Sequence, residues 1–105
     1  MTETGALDRV LKALAHPARR RIFELVAQGE TSVKEFASKT GVSQPAASQF
    51  LATLLDARLV EKRKIGSRVF YRVSADPLAP LTEWAAAKLG SRVPAHLTPA
   101  SRARG

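Results

Sequence analysis

The chain has 105 residues, enough for one domain, of which 45% are apolar and 25% charged, with a net charge of +8; that is a globular balance, not a disordered one. It contains no cysteine, which excludes a disulfide scaffold, a thiolate metal site and a thiol redox switch. No run approaches the length of a bilayer-spanning helix, and MTETGALDRV lacks the basic and apolar regions of a secretory signal, so a cytoplasmic protein is expected.

In chain order, ALDRVLKALA sets Leu7, Val10, Leu11 and Leu14 on one face of a first helix. HPARRRIFELVAQGE opens a second, with His16 as N-cap, Pro17 at the first position and Gly29 at the end. SVKEFASKTG has the Ser32–Glu35 spacing of a capping box and stops at Gly41. A fourth helix follows the cap Ser43, with Leu51, Leu54 and Leu55 on its buried side. The pattern then alternates: LVEKRKIGSRVFYRV, with Gly66-Ser67 at its middle, predicts a two-stranded hairpin. DPLAPLTEWAAAKLG predicts a last helix with Leu78, Leu81, Trp84, Ala85 and Leu89 along one side. Residues 1–90 then form one domain, and 91–105 a basic, flexible tail with no acid.

The tight KTGVSQ connection between the third and fourth helices is a helix-turn-helix signature, and the basic hairpin directly after it has the place of a wing. The expected fold is mainly α with one β-hairpin, a winged helix-turn-helix in the order α-α-α-α-β-β-α. Its fourth helix would enter the major groove of duplex DNA. Ala47, Leu51 and Leu54 share one face; Pro45, Ser48, Gln49 and Ala52 lie roughly opposite, and Gln44 projects from the first turn. Gln pairs with adenine, Ser bonds several bases, and Ala or Pro can meet a thymine methyl, while acids there would be repelled by phosphates. Ser43, Gln44, Pro45, Ser48 and Gln49 are the candidate DNA-binding residues of this helix.

Charge placement agrees. Residues 1–57 hold seven Lys and Arg against six acids, and residues 58–105 hold ten against three. Lys62, Arg63, Lys64 and Arg68 flank the hairpin turn as candidate phosphate or minor-groove contacts, although strand alternation sets Arg63 opposite Lys62 and Lys64. Arg19, Arg20 and Arg21 open the second helix, where cations oppose the dipole; either an external anion or a pairing with Glu24 or Asp8 would account for them. Of Phe70 and Tyr71, which alternate, one belongs to the core.

LKALAHPARRRIFELV, GVSQPAASQFLATLLDARLV and KIGSRVFYRV together resemble the winged helix-turn-helix repressors of the ArsR/SmtB type, over about residues 6–90. The resemblance implies a cytoplasmic homodimer that binds operator DNA and, in many members, releases it on binding a metal. It implies a dimer interface built from the first and last helices: Leu7, Val10, Leu11, Leu14, Leu78, Leu81, Trp84 and Leu89. The metal-sensing half of the pattern does not carry over. ETSVKEFAS has no thiol at the start of the third helix, and PLAPLTEWAAAKL offers only Glu83. A zinc site needs about four ligands; His16 is most simply a cap and His96 lies in the tail. No metal and no cofactor are expected. Phe50 stands where the family often has His, and is expected at the core edge.

No Gly-rich phosphate loop, metal motif or Ser-His-acid set is present, so an enzyme is not expected. The expected function is a homodimeric repressor reading an inverted-repeat operator in double-stranded DNA, with no membrane partner. The alternative is a winged-helix module that docks protein or RNA without operator specificity.

Overall fold

The computed structural model describes residues 2–97, with side chains from residue 5 onward. Five helices surround one core: α1 (Thr2–Leu14), α2 (Pro17–Gln28), α3 (Val33–Thr40), α4 (Gln44–Asp56) and α5 (Ala79–Leu89). Three strands, β1 (Thr31–Ser32), β2 (Val60–Ile65) and β3 (Arg68–Val73), form an antiparallel sheet in the order β1-β3-β2. The sheet is thus one strand larger than the expected hairpin. Thr31 pairs with Tyr71 and Ser32 with Phe70; two residues are too few for any periodicity to announce a strand.

Local chemistry sets the boundaries. His16 Nδ1 accepts the Arg19 N–H at 3.4 Å, capping α2. Ser32 and Glu35 form a reciprocal capping box at α3. Its carboxylate also accepts the Thr31 hydroxyl at 2.7 Å, which satisfies a side chain otherwise buried. α3 ends at Gly41, whose φ of +77° is the left-handed conformation that a residue without a Cβ adopts freely. After Val42, Ser43 Oγ accepts the Ala46 N–H at 3.2 Å and starts α4. α4 closes in a Schellman motif: Leu59 N–H reaches Leu54 O and Arg58 N–H reaches Leu55 O, both at 3.0 Å. The left-handed residue in that motif is Arg58, at φ +61°.

The core gathers Val10, Ile22, Val26, Phe36, Leu51, Leu54, Leu59, Val60 and Tyr71. Each such side chain contributes about 1.5–3 kcal/mol by leaving water. Tyr71 is therefore the core member of the Phe70–Tyr71 pair, and Phe70 is half-buried. α5 packs against α1.

Two expectations need correction. Val10 is 1% exposed inside the protomer, so it cannot form part of an interface between copies. Arg19 and Arg20 do not pair with Glu24 or Asp8. Arg19 donates to Ala13 O at 2.7 Å and Lys12 O at 2.9 Å, and Arg20 donates to Leu14 O at 2.7 Å. They cap the C-terminus of α1, whose last carbonyls have no intrahelical donors and whose dipole favours cations. The segment expected to be a tail carries two 3₁₀ turns, Gly90–Arg92 and Ala95–Leu97; the rest of it, 98–105, lies outside the described residues.

Candidate nucleic-acid interface

Helix α4 presents two chemically distinct sides. Ala47, Leu51 and Leu54 are fully buried, while Ser43, Gln44, Pro45, Ser48, Gln49 and Ala52 are exposed. No charged residue occurs from Thr40 to Leu55. Among the described residues the side chains of Gln44, Ser48 and Gln49 have no hydrogen-bond partner within the chain, so their donors and acceptors are free for a ligand. Ser43 is committed to the cap through one lone pair and keeps its hydroxyl proton to donate. Phe50 is half-buried at the core edge, as its position suggested, and its ring stands 5.0 Å from that of His16 at an angle of 51°. The cap of α2 thus abuts the flank of α4.

The register of the hairpin sorts the wing residues. Lys62 is opposite Tyr71 and Lys64 opposite Val69, so both lysines share the sheet face of the core residues Val60 and Tyr71. Beyond the core that face continues into solvent, and both lysines are exposed without an acidic partner among the described residues. Arg63 is opposite Phe70, on the other face. Its guanidinium grips Glu30 with two parallel bonds, Nε to Oε2 at 2.7 Å and Nη2 to Oε1 at 2.8 Å. The bond from Arg63 is the chief reason the Glu30 carboxyl is held below its usual range. On the same outer face Arg72 donates to Glu61 at 3.2 Å. Gly66, at φ +63°, makes the tight turn at the tip. Arg68 and Ile65 close the ladder there, and Ile65 is 52% exposed.

Helices α1 and α5 border a groove of about 630 Å³ lined by Ala6, Leu7, Pro80, Glu83, Trp84, Ala87 and Lys88. Leu11, Trp84 and Leu89 are all exposed, and Leu7 and Leu81 are half-buried. Leu14 and Leu78 pack against the protomer's own core. No three His, Cys, Asp or Glu side chains gather among the described residues in a way that could hold a metal ion. None of the described helices is long and apolar enough to cross a membrane.

A helix-turn-helix followed by a basic hairpin invites comparison with known regulators. The family model described as bacterial regulatory protein, arsR family, matches residues 16–62. An HTH-type transcriptional regulator of Mycobacterium tuberculosis is 45% identical over 74 residues, which cover 70% of this chain and 69% of that one. The chain belongs to the arsR family. A biofilm growth-associated repressor of Agrobacterium fabrum is 43% identical over 74 residues, 70% of this chain. The match spans 63% of that repressor's length. Among solved structures, the homodimeric winged helix-turn-helix DNA-binding domain of a possible ArsR-family regulator from Mycobacterium bovis has a TM-score of 0.68. It is 36% identical, with 85% of this chain and 81% of that one covered. The relatives are named regulators and repressors, not enzymes, and the fold of this family member is the winged helix-turn-helix.

Two features of the interface were not found by sequence reasoning. The Glu30–Arg63 pair had no readable signal, because the strand that aligns them has only two residues. The use of Arg19 and Arg20 on α1 had a weak one: cations six or seven residues past unpaired helix carbonyls can fold back onto them.

Proposed function

We propose that this arsR-family protein is a cytoplasmic transcriptional repressor that binds an inverted-repeat operator as a homodimer. One observation carries the reading. The α4 helix, uncharged as far as Leu55, exposes unpartnered amides and hydroxyls beside a sheet face that carries Lys62 and Lys64. The first is suited to base edges and the second to phosphates. In this assignment Gln44, Ser48 and Gln49 read bases from the major groove. Ser43 and Pro45 touch the groove wall at the helix start. Lys62, Lys64 and Arg68 hold the backbone, with Arg68 nearest the minor groove.

The groove between α1 and α5 supports the dimer. Leu11, Trp84 and Leu89 are 46%, 46% and 45% exposed, and a second copy would cover them together with Leu7 and Leu81. A two-fold axis would set the two α4 helices about one turn of DNA apart, ~34 Å.

Selection of bound duplexes from a random pool tests the reading directly. The expected product is an inverted repeat whose half-sites are one helical turn apart. Leu11→Glu with Leu81→Glu should give monomers by sedimentation and abolish binding to that repeat. If no sequence is enriched, or if the native chain binds the repeat as a clean monomer, the operator reading fails and a docking module takes its place.

A further inference from the structure

We propose that Glu30 and Arg63 form a strap that sets the pitch of the wing against the helix-turn-helix, so that Arg63 is a positioning residue and not a phosphate ligand. This rests on the DNA-binding reading above and assigns one basic residue of the wing a different task from its neighbours.

The pair joins positions 33 residues apart with two matched bonds of 2.7 and 2.8 Å. Most surface ion pairs contribute little, but a bidentate guanidinium–carboxylate fork is the favourable exception. Its place in the sheet gives it leverage. Glu30 leads into β1, whereas Arg63 is at the middle of β2, and β3 runs between them. Ser32, Phe70 and Arg63 are on one row of the register, so the Arg63 side chain passes over β3 to reach the far edge. From Glu61 to Ile65 every residue of β2 is exposed, and beyond Val60 the strand is held to the body only through its ladder with β3. The fork adds a second tie, from the wing to the link between α2 and α3. α3 in turn packs against α4.

Charge on the two faces of the hairpin supports the same division. Short of the tip the outer face is paired, Arg63 with Glu30 and Arg72 with Glu61, while Arg68, opposite Ile65 at the tip of that face, has no acidic partner among the described residues. The other face carries Lys62 and Lys64 without acidic partners among the described residues. A guanidinium already gripped by a carboxylate is largely neutralised toward a phosphate. Short of the tip, the two sides of the wing thus do different things: one binds and the other braces.

The test compares Glu30→Gln, Arg63→Gln and the double variant on the selected operator and on random duplex, across a salt series. As a strap, either single change weakens operator binding by a similar factor, about two- to fivefold. The double variant is no worse than either single one. The salt slope of Arg63→Gln stays that of the native chain, where loss of a phosphate contact would lower it by about one. A second readout needs no DNA. Because the chain has no cysteine, Ser67→Cys accepts a single spin label at the wing tip, and its mobility should rise when Glu30→Gln is added. The strap is overturned if Glu30→Gln strengthens binding while Arg63→Gln weakens it with a lower slope. That pattern would make Arg63 an anchor which Glu30 merely restrains. It is equally overturned if neither variant changes the label. If the native chain shows no operator preference, the functional reading fails, and the label still reports whether the pair holds the wing.

Discussion

From Thr40 to Leu55 the chain carries no charge, whereas from Arg58 to Arg72 it carries six cations and one acid. The first stretch, centred on α4, is half core: Ala47, Leu51 and Leu54 are fully buried, and the polar side is displayed by a helix that cannot rotate without exposing them. The second runs from the buried Leu59 into the β2–β3 hairpin, which reaches out from the core with only Val60 and Tyr71 buried. Rigid display suits discrimination, because reading base edges depends on fixed donor and acceptor positions. Long cations on a projecting hairpin suit affinity, because phosphates are everywhere along the duplex and demand no register. The difference teaches that specificity and anchoring are built on different amounts of core.

The comparison can be broken most forcefully through stability. Leu51→Ala removes a fully buried side chain from beneath α4 and should cost about 2–5 kcal/mol. Ile65→Ala, at a position 52% exposed on the wing tip, should stay within about 0.5 kcal/mol. Urea unfolding of the two variants checks both. Equal losses would mean that the wing is as deeply integrated as the helix.

Binding sharpens the contrast next. Gln49→Ala should remove preference at particular base pairs, at about 1–3 kcal/mol if its contact is bidentate, with random duplex and salt slope barely changed. Lys64→Gln should weaken binding to all duplexes alike and lower the salt slope by about one. Titrations on the selected operator and on random DNA separate the two. If Gln49→Ala weakened both equally while Lys64→Gln changed only the operator, the roles of helix and wing would be exchanged.

How much of this contrast is legible in the sequence follows from how far apart its causes lie. The caps His16, Ser32 and Ser43 and the turn at Gly66 are local, and each is where its residue type places it. The buried and exposed sides of α4 follow from helical spacing alone. What escaped is tertiary. β1 exists because Thr31 and Ser32 lie alongside β3, not because of any preference of their own. Val10 fits the same apolar stripe as Leu7 and Leu11, yet only Val10 is covered by the core. A stripe shows which side of a helix is apolar but not which of two layers, the chain's own core or a second copy, takes each residue. The arginines at 19 and 20 appear free for an external anion until the end of α1 is seen beside them.

The link where helix-turn-helix and sheet meet gives a smaller effect. Glu35 accepts hydrogen bonds from the Thr31 hydroxyl, the Ser32 N–H and the Ser32 hydroxyl, which hold its carboxyl below the ordinary value of 4.5, the Thr31 bond most strongly. A group depressed in the folded state adds stability that is complete above its unfolded value and is lost as the pH falls through the folded one, because the unfolded chain takes up the proton first. Thermal midpoints should therefore fall on acidification below about 4.5, and Glu35→Gln should flatten that fall. Ser32→Ala, which removes the cap without touching the charge, should cost about 1 kcal/mol at neutral pH. A native and a Glu35→Gln chain with the same acid limb would mean that the box is not formed in solution.

The smallest effect lies at the joint between the two regions. Arg58 ends α4 and precedes β2, and it is the one non-glycine residue at positive φ among those described, at +61°. That conformation brings the Cβ toward the following carbonyl and costs a non-glycine residue about 1–2 kcal/mol. The Schellman bonds through Arg58 and Leu59 and the full burial of Leu59 hold it there. Arg58→Gly relieves the strain, but it also gives the unfolded chain more freedom, which takes back about 0.4–1 kcal/mol. The net expectation is a gain of about 0.5–1 kcal/mol in urea unfolding. The same variant removes one of the six cations counted for the hairpin region. Arg58 precedes the sheet and is not among Lys62, Lys64 and Arg68, so operator affinity and salt slope should be unchanged. A stabilised chain with a native slope would confine the anchoring to the wing proper. A stabilised chain whose slope falls by about one would extend the phosphate-binding surface back to the end of the recognition helix. A destabilised chain would mean that the Arg58 side chain contributes more than its backbone costs.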